Sequence, residues 1–187
     1  LMNLGESLEF KPLAQGDLSP EDRWILSRLS KTIRTVIGHL EAYNPSAAIG
    51  AARDFTWNEL CDWYLELIKP RMRAEAQAPE ARQVLATALD QVLRLLHPFV
   101  PFVTEVIWEQ LNGQAPQRGI EAPLASSEQC IRAEFPVPHA DWEDAGLETE
   151  FARLQDVIRA LRDVRSKYNV PPKKQLPAAI EAKGETL

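Results

Sequence analysis

The chain has 187 residues, 45% of them hydrophobic and 26% charged, with a formal net charge of −6. That length suits one globular domain with a smaller appendage, able to bury about 70% of its unfolded surface without covalent staples. No apolar run approaches the roughly 20 residues of a membrane span, "LMNLGESLEF" lacks the basic start of a signal peptide, and Cys61 and Cys130 match no metal or disulfide spacing, so the expectation is a reduced, cytoplasmic protein with no membrane partner.

The first helix opens in "LSPEDRWILSRLSKTIRTVIGHLEAY". Ser19 can cap, Pro20 suits the first helical position, and Glu21 and Asp22 complement the positive helix end. Ile25, Leu29, Ile33, Val36 and Leu40 then form one apolar stripe, lasting to about Tyr43. Asn44-Pro45 starts a second helix, whose stripe through Ala48, Ala52, Phe55, Leu60, Trp63 and Leu67 predicts core positions up to a stop at Pro70. After "AEAQA", Pro79 leads a third stripe from Ala81 to Leu96. A break at His97-Pro98 and Pro101 precedes a fourth helix, with Val103, Val106, Ile107, Trp108 and Leu111 as its expected buried side.

Residues 113–145 are rich in Gly, Pro, Ser and acids and read as an irregular excursion, with one extended piece at "CIRAEF". A fifth helix, about Gly146 to Tyr168, is expected to bury Phe151, Leu154, Leu161 and Val164 and to close the bundle. "NVPPKK" breaks it, and "LPAAIEA" reads as a lone strand. The predicted fold is therefore all-α, an antiparallel bundle of about five helices, with a short C-terminal strand beginning a small α/β unit. Its domains are a bundle over 1–145 and a closing helix with appendage over 146–187.

Charge is polarised along the chain. Residues 105–150 hold ten acidic side chains against Arg118 and Arg132, whereas residues 151–174 hold seven basic ones against Asp156 and Asp163. A catalytic site is poorly provided for. His39, His97 and His139 are scattered, and neither a phosphate loop nor a nucleophile with an evident base is present. Lys69, Arg71 and Arg73 gather at the end of the second helix, where they either complement its dipole or meet phosphates.

"DRWILSRL", "WNELCDWYLELIKPRM" and "VLRLLHPFVPFVTEVIWEQL", followed by "VRSKYNVPP", closely resemble the C-terminal anticodon-binding region of bacterial valyl-tRNA synthetases, over roughly residues 1–177 and most weakly over 113–135. The family's His-x-Gly-His and Lys-Met-Ser-Lys-Ser motifs do not occur; "VIGHLE" at 36–41 imitates the first by coincidence. The resemblance implies a module that grips the anticodon stem and loop of tRNA(Val), while the catalytic domain of the same polypeptide uses ATP to join valine to the tRNA. No cofactor is expected in these residues.

RNA loops are recognised by cations on phosphates and by aromatic or polar groups on unstacked bases. The candidate contacts are accordingly Phe10 in the lead-in segment, Arg28, Lys31 and Arg34 on the first helix, and Lys69, Arg71 and Arg73. The alternatives are a noncatalytic helical scaffold that docks proteins, and the equivalent module of an isoleucyl or leucyl synthetase. Lacking the nucleotide-binding motifs, these 187 residues alone are expected to show no valine-dependent exchange of pyrophosphate into ATP; a rate above background would refute this.

Overall fold

The Ser19 hydroxyl accepts the Asp22 amide and Pro20 takes the first helical position, so helix α1 (Pro20–Glu41) begins where the chain supplies its own cap. The structure is a computed structural model describing residues 8–74 and 78–171 together with Lys174, Gln175, Pro177 and Ala179. Asn44 caps α2 (Pro45–Asp54) in the same way, its Oδ1 accepting the Ala47 amide at 3.1 Å. The chain then continues as a π-helical segment (Phe55–Tyr64) and as α3 (Leu65–Arg73), followed by α4 (Ala78–Leu96), α5 (Pro101–Gln114) and α6 (Ala145–Lys167). Among the described residues there is no strand, and the architecture is all-α. Contacts divide the chain into two compact units, Leu1–Glu148 and Thr149–Leu187.

The expected second helix is one continuous helical path, but two of its details differ. Its buried positions run Ala48, Ala52, Phe55, Leu60, Tyr64 and Ile68, with a step of five between Phe55 and Leu60. A π turn inserts one residue per turn, which rotates the apolar face and leaves Trp63 and Leu67 only half-buried rather than in the core. Pro70 does not end the path, since α3 runs on to Arg73. The turn beyond the proline is held by Arg71, whose Nη1 donates to Ser19 Oγ and to Asp22 Oδ2, both at 2.7 Å, and reaches Glu21 at 3.1 Å. On its other oxygen, Asp22 accepts the buried Tyr64 hydroxyl at 2.7 Å. One charged cluster thus bolts α3 to the start of α1.

Helix α4 is the hub, contacting α1, α2, α3 and α5. Its apolar stripe is joined in burial by Gln83, Thr87, Asp90, Gln91 and Arg94, so little of its circumference meets water. The excursion covers that polar side. Arg118, 1% exposed, places Nε and Nη2 each 2.8 Å from Oδ2 of the fully buried Asp90, whose Oδ1 accepts from Arg94 Nε at 2.8 Å. Arg94 also donates to the carbonyls of Ala125 and Glu134. Gly119, at φ +147°, is obligatory, because a Cβ there would stand 2.0 Å from the Ala122 carbonyl oxygen. Its own amide and carbonyl bond to Thr87, and its carbonyl also accepts from Gln83. Below this lies Trp108, with the Arg94 and Arg118 guanidiniums 5.1 and 4.6 Å from its ring centroid.

The "CIRAEF" piece is not extended but opens with a short 3-10 turn (Cys130–Arg132). The Cys130 and Ile131 amides, each 2.9 Å from the Glu105 carboxylate, bond to α5 instead of to a neighbouring strand. Helix α5 buries Thr104, Trp108 and Leu111, while Val103 and Val106 of the expected inner side are exposed. The cause is rotational: the Trp108 indole donates to Ser127 O, and seating it against α4 turns the valines outward.

Of the α6 residues expected to be buried, Phe151 is, whereas Leu154, Leu161 and Val164 are exposed. Its C-terminal end is shaped by Arg165, which donates to the carbonyls of Pro171 and Lys174, and by Asn169 in the left-handed region. The strand expected at "LPAAIEA" falls mostly on residues outside the described ones.

Removing Asp90 leaves two buried guanidiniums without their anion. Asp90→Ala is therefore expected to cost about 3–5 kcal/mol, and Leu93→Ala about 2–5 kcal/mol by cavity formation. Val106→Ala, on the exposed face, should change stability by less than about 0.5 kcal/mol. Urea denaturation midpoints measure all three, and a parental midpoint for Asp90→Ala would show that the network does not hold the excursion in place.

Candidate nucleic-acid interface

Helix α1 repeats basic and hydroxyl residues down one side, namely Arg23, Ser27, Ser30, Lys31 and Arg34, with Arg28 beside them. A face like that could track a phosphate backbone. Here it is already occupied by residues 139–148 of this chain. Arg23 Nη2 lies 2.6 Å from Asp144 Oδ2, Arg34 pairs with Glu143, and Lys31 Nζ lies 2.9 Å from Glu148 Oε2. Arg28 forks onto Glu59 at 2.7 and 2.9 Å and reaches Glu148 at 3.2 Å. Between these pairs, Ser27 Oγ accepts the Asp144 amide and donates to Glu148, and Ser30 Oγ accepts the His139 amide at 2.9 Å. The segment behaves as an acidic strap buttoned to α1.

The strap's carboxylates are tuned by this contact. The Arg34 hydrogen bond, with help from Ser30, holds Glu143 below its ordinary range. The Leu147 amide and then Arg23 do the same for Asp144. Burial pushes Glu148 up, but hydrogen bonds from Ser27, Lys31 and Arg28 outweigh it and leave the group below its ordinary value. The Arg28 guanidinium, hydrogen-bonded to Glu59, is held charged beyond its already high ordinary value.

The seven sequence-selected residues therefore fall into two groups. Arg28, Lys31 and Arg34 neutralise the strap, and Arg71 is committed to Ser19, Glu21 and Asp22, so their charge is spent within the chain. Lys69, Arg73 and Phe10 are differently placed. Lys69 makes an exposed pair with Glu66, and Arg73 is exposed with no ion-pair partner among the described residues. Half-buried Phe10 lies in a lead-in laid against the bundle. There the Leu8 amide donates to Gln114 O at 2.8 Å, and Lys11 N and O both bond to the Gln83 side chain, at 3.0 and 2.7 Å.

That last pair of bonds brings elements together. Gln83 lies about one and a half turns into α4, whose first amide, Ala78 N, donates to Ala74 O at 3.1 Å. Phe10 and Lys11 thus lie along the N-terminal turns of α4, the helix on which α3, the carrier of Lys69 and Arg73, also packs. Sequence reasoning passed over the exposed Lys11, although its signal was there: a cation beside an aromatic in a segment without an apolar stripe. Arg82, half-buried on α4, has a buried Nε with no hydrogen-bond partner among the described residues. The buried Arg94 and Arg118 were also missed as anchors. For Arg118 the available signal was its near isolation in an acidic, Gly- and Pro-rich stretch.

Among the described residues no group of His, Cys, Asp and Glu could hold a metal ion, and no helix is long and apolar enough to cross a membrane. The model of the anticodon-binding domain of tRNA ligases matches residues 22–180. A valine–tRNA ligase of Rhodopirellula baltica is 41% identical over 96% of this chain and 17% of its own length. Those of Staphylococcus haemolyticus and Dehalococcoides mccartyi are 37% and 38% identical over 100% and 97% of this chain, and 20% of their own lengths. The chain spans about a fifth of the length of the curated relatives it matches.

The lowered strap carboxyls set a direction for pH dependence. Glu143, Asp144 and Glu148 have folded pKa values below their ordinary 4.5, 3.8 and 4.5, so the unfolded chain takes up protons first as pH falls. Their stabilising contribution is complete above the ordinary values and is lost as pH falls through the folded ones. Urea midpoints measured from pH 6 down to pH 3 should therefore decline, and decline less steeply in Glu148→Gln, which has already lost one of these groups. Equal slopes in variant and parent would show that Glu148 titrates alike in both states.

Proposed function

Since the chain belongs to the family of anticodon-binding domains of tRNA ligases, we propose that it is the anticodon stem-and-loop binding module of a valine–tRNA ligase, whose remaining parts join valine to tRNA(Val) with ATP. The observation that carries this reading is the family match itself, which spans residues 22–180 and coincides with the three relatives described above, each a valine–tRNA ligase. That agreement favours the valyl module over an isoleucyl or leucyl one. On this reading the 187 residues bind and do not catalyse, the ATP and editing chemistry belongs to other parts of the polypeptide, and the protein works in the cytoplasm.

The RNA-facing end is the α3–α4 junction. Arg73 and Lys69 supply phosphate contacts there, Lys11 adds a third cation, and Phe10 offers an aromatic face to an unstacked base. Arg71 acts indirectly, by fixing the α3 terminus that carries Lys69 and Arg73, while Arg28, Lys31 and Arg34 hold the acidic strap on α1. Few cations are engaged, so the salt dependence of binding should be modest for a tRNA ligand, and neutralising any one of them should visibly reduce it.

Titration of tRNA(Val) binding against salt tests the assignment. Arg73→Gln should weaken binding at low salt and flatten the slope of log affinity against log salt by about one, with melting unchanged. Arg71→Gln should instead lower stability by about 3 kcal/mol, because it strands the fully buried Asp22. If Arg73→Gln keeps the parental affinity and slope, the α3 terminus is not a phosphate contact.

A further inference from the structure

Helix α5 carries an apolar face that neither the bundle nor the proposed RNA contacts use. Phe102 is 88% exposed, Val103 52% and Val106 57%. The face begins at exposed Pro101, directly after the exposed Val100. Its border extends to Ile131, 69% exposed, because the Glu105 carboxylate holds the Ile131 amide at 2.9 Å against the same helix. Single exposed apolar residues are ordinary on a protein surface, but a phenylalanine and two valines within five residues, beside an isoleucine pinned next to them, make a contiguous patch of the kind that is covered in the working molecule.

The chemistry around the patch selects what covers it. Residues 95–112 contain Glu105 and Glu109 and no Lys or Arg, and the one cation next to the patch in sequence is the exposed Arg132 beside Ile131. A phosphate backbone approaching here would meet negative charge, and its counterions would gain no replacement. One arginine at the edge against two glutamates on the helix also disfavours an anionic lipid surface, which a cluster of basic residues would be needed to attract. What remains is an apolar protein surface. The relatives that align with this chain have about four-fifths of their length outside the aligned region, so the polypeptide itself supplies a large body of protein that must hold the module in place.

We propose that the exposed face of α5, formed by Phe102, Val103 and Val106 with Ile131 at its edge, is the seat on which the rest of the parent ligase polypeptide docks. The inference rests on reading the chain as one module of a longer ligase, and it assigns α5 to the inward-facing side of that module. Trp108 and the valines divide the helix between two tasks: the indole anchors it to α4, and the opposite face is left apolar for intramolecular docking. Val103→Ala and Val106→Ala then leave the module's own fold unchanged while loosening its attachment.

The test uses the full-length enzyme with the photoreactive p-benzoylphenylalanine in place of Phe102, and, as a control, the same probe at Tyr43, which is 93% exposed. Irradiation without tRNA, followed by mass spectrometry, should give crosslinks from position 102 to residues of the same polypeptide outside these 187, at a yield at least tenfold above the Tyr43 control. Adding tRNA should not change that yield. Crosslinks chiefly to a second copy of the chain, crosslinks that form only to tRNA, or a yield no greater than at Tyr43 would each overturn the proposal. Binding of tRNA(Val) is measured on the same preparation. An enzyme that crosslinks to its own body yet fails to bind tRNA supports the docking surface and defeats only the anticodon-binding reading.

Discussion

Asp90 carries its carboxylate with no exposed surface, and a charge so placed is tolerated only when oppositely charged donors saturate it. Arg94 and Arg118 do so from two directions, one a turn away on α4 and the other from the excursion. Because Arg94 reaches on to the carbonyls of Ala125 and Glu134, a segment with hardly any regular hydrogen bonding of its own acquires a definite path. Trp108 lies against both guanidiniums, so the same ion cluster sets the rotation of α5. Everything that α5 displays outward follows from that rotation.

A second consequence concerns the economy of positive charge. A protein of net charge −6 that approaches a polyanion must keep its acidic groups occupied elsewhere. Residues 139–148 solve this by binding the cations of α1, which turns an acidic stretch and a basic helix face into a neutral, hydrogen-bonded seam. Arg71 is withdrawn in the same manner by Asp22 and Glu21. Positive charge outside these pairs lies at the α3 terminus and in residues 151–174, where basic side chains outnumber acidic ones.

The helix starts were legible in the sequence because capping is local: Ser19 and Asn44 each find an amide three residues on, whatever the rest of the chain does. The all-α fold was legible for a similar reason, since stripes at three- and four-residue steps specify helices without reference to their partners. Other features depend on groups far away in the chain. The π segment between Phe55 and Tyr64 turns Trp63 partly outward, and nothing in the aromatic spacing announces it. The Pro70 expectation failed because Arg71 finds a charge cluster about fifty positions earlier, and that contact sustains a turn which local chemistry would end.

Of the candidate site, the sequence by itself determined which residues could meet RNA, because charge and aromatic character belong to side chains wherever they are placed. Only the tertiary structure decided which of the cations among them are paired with carboxylates of the chain. Arg28, Lys31, Arg34 and Arg71 look no different in sequence from Arg73, yet each is matched to a carboxylate that the fold delivers, whereas Arg73 is left exposed at a helix end. The physical reason is that a cation's availability is set by the nearest anion in space, and for Lys31 that anion, Glu148, is 117 positions along the chain.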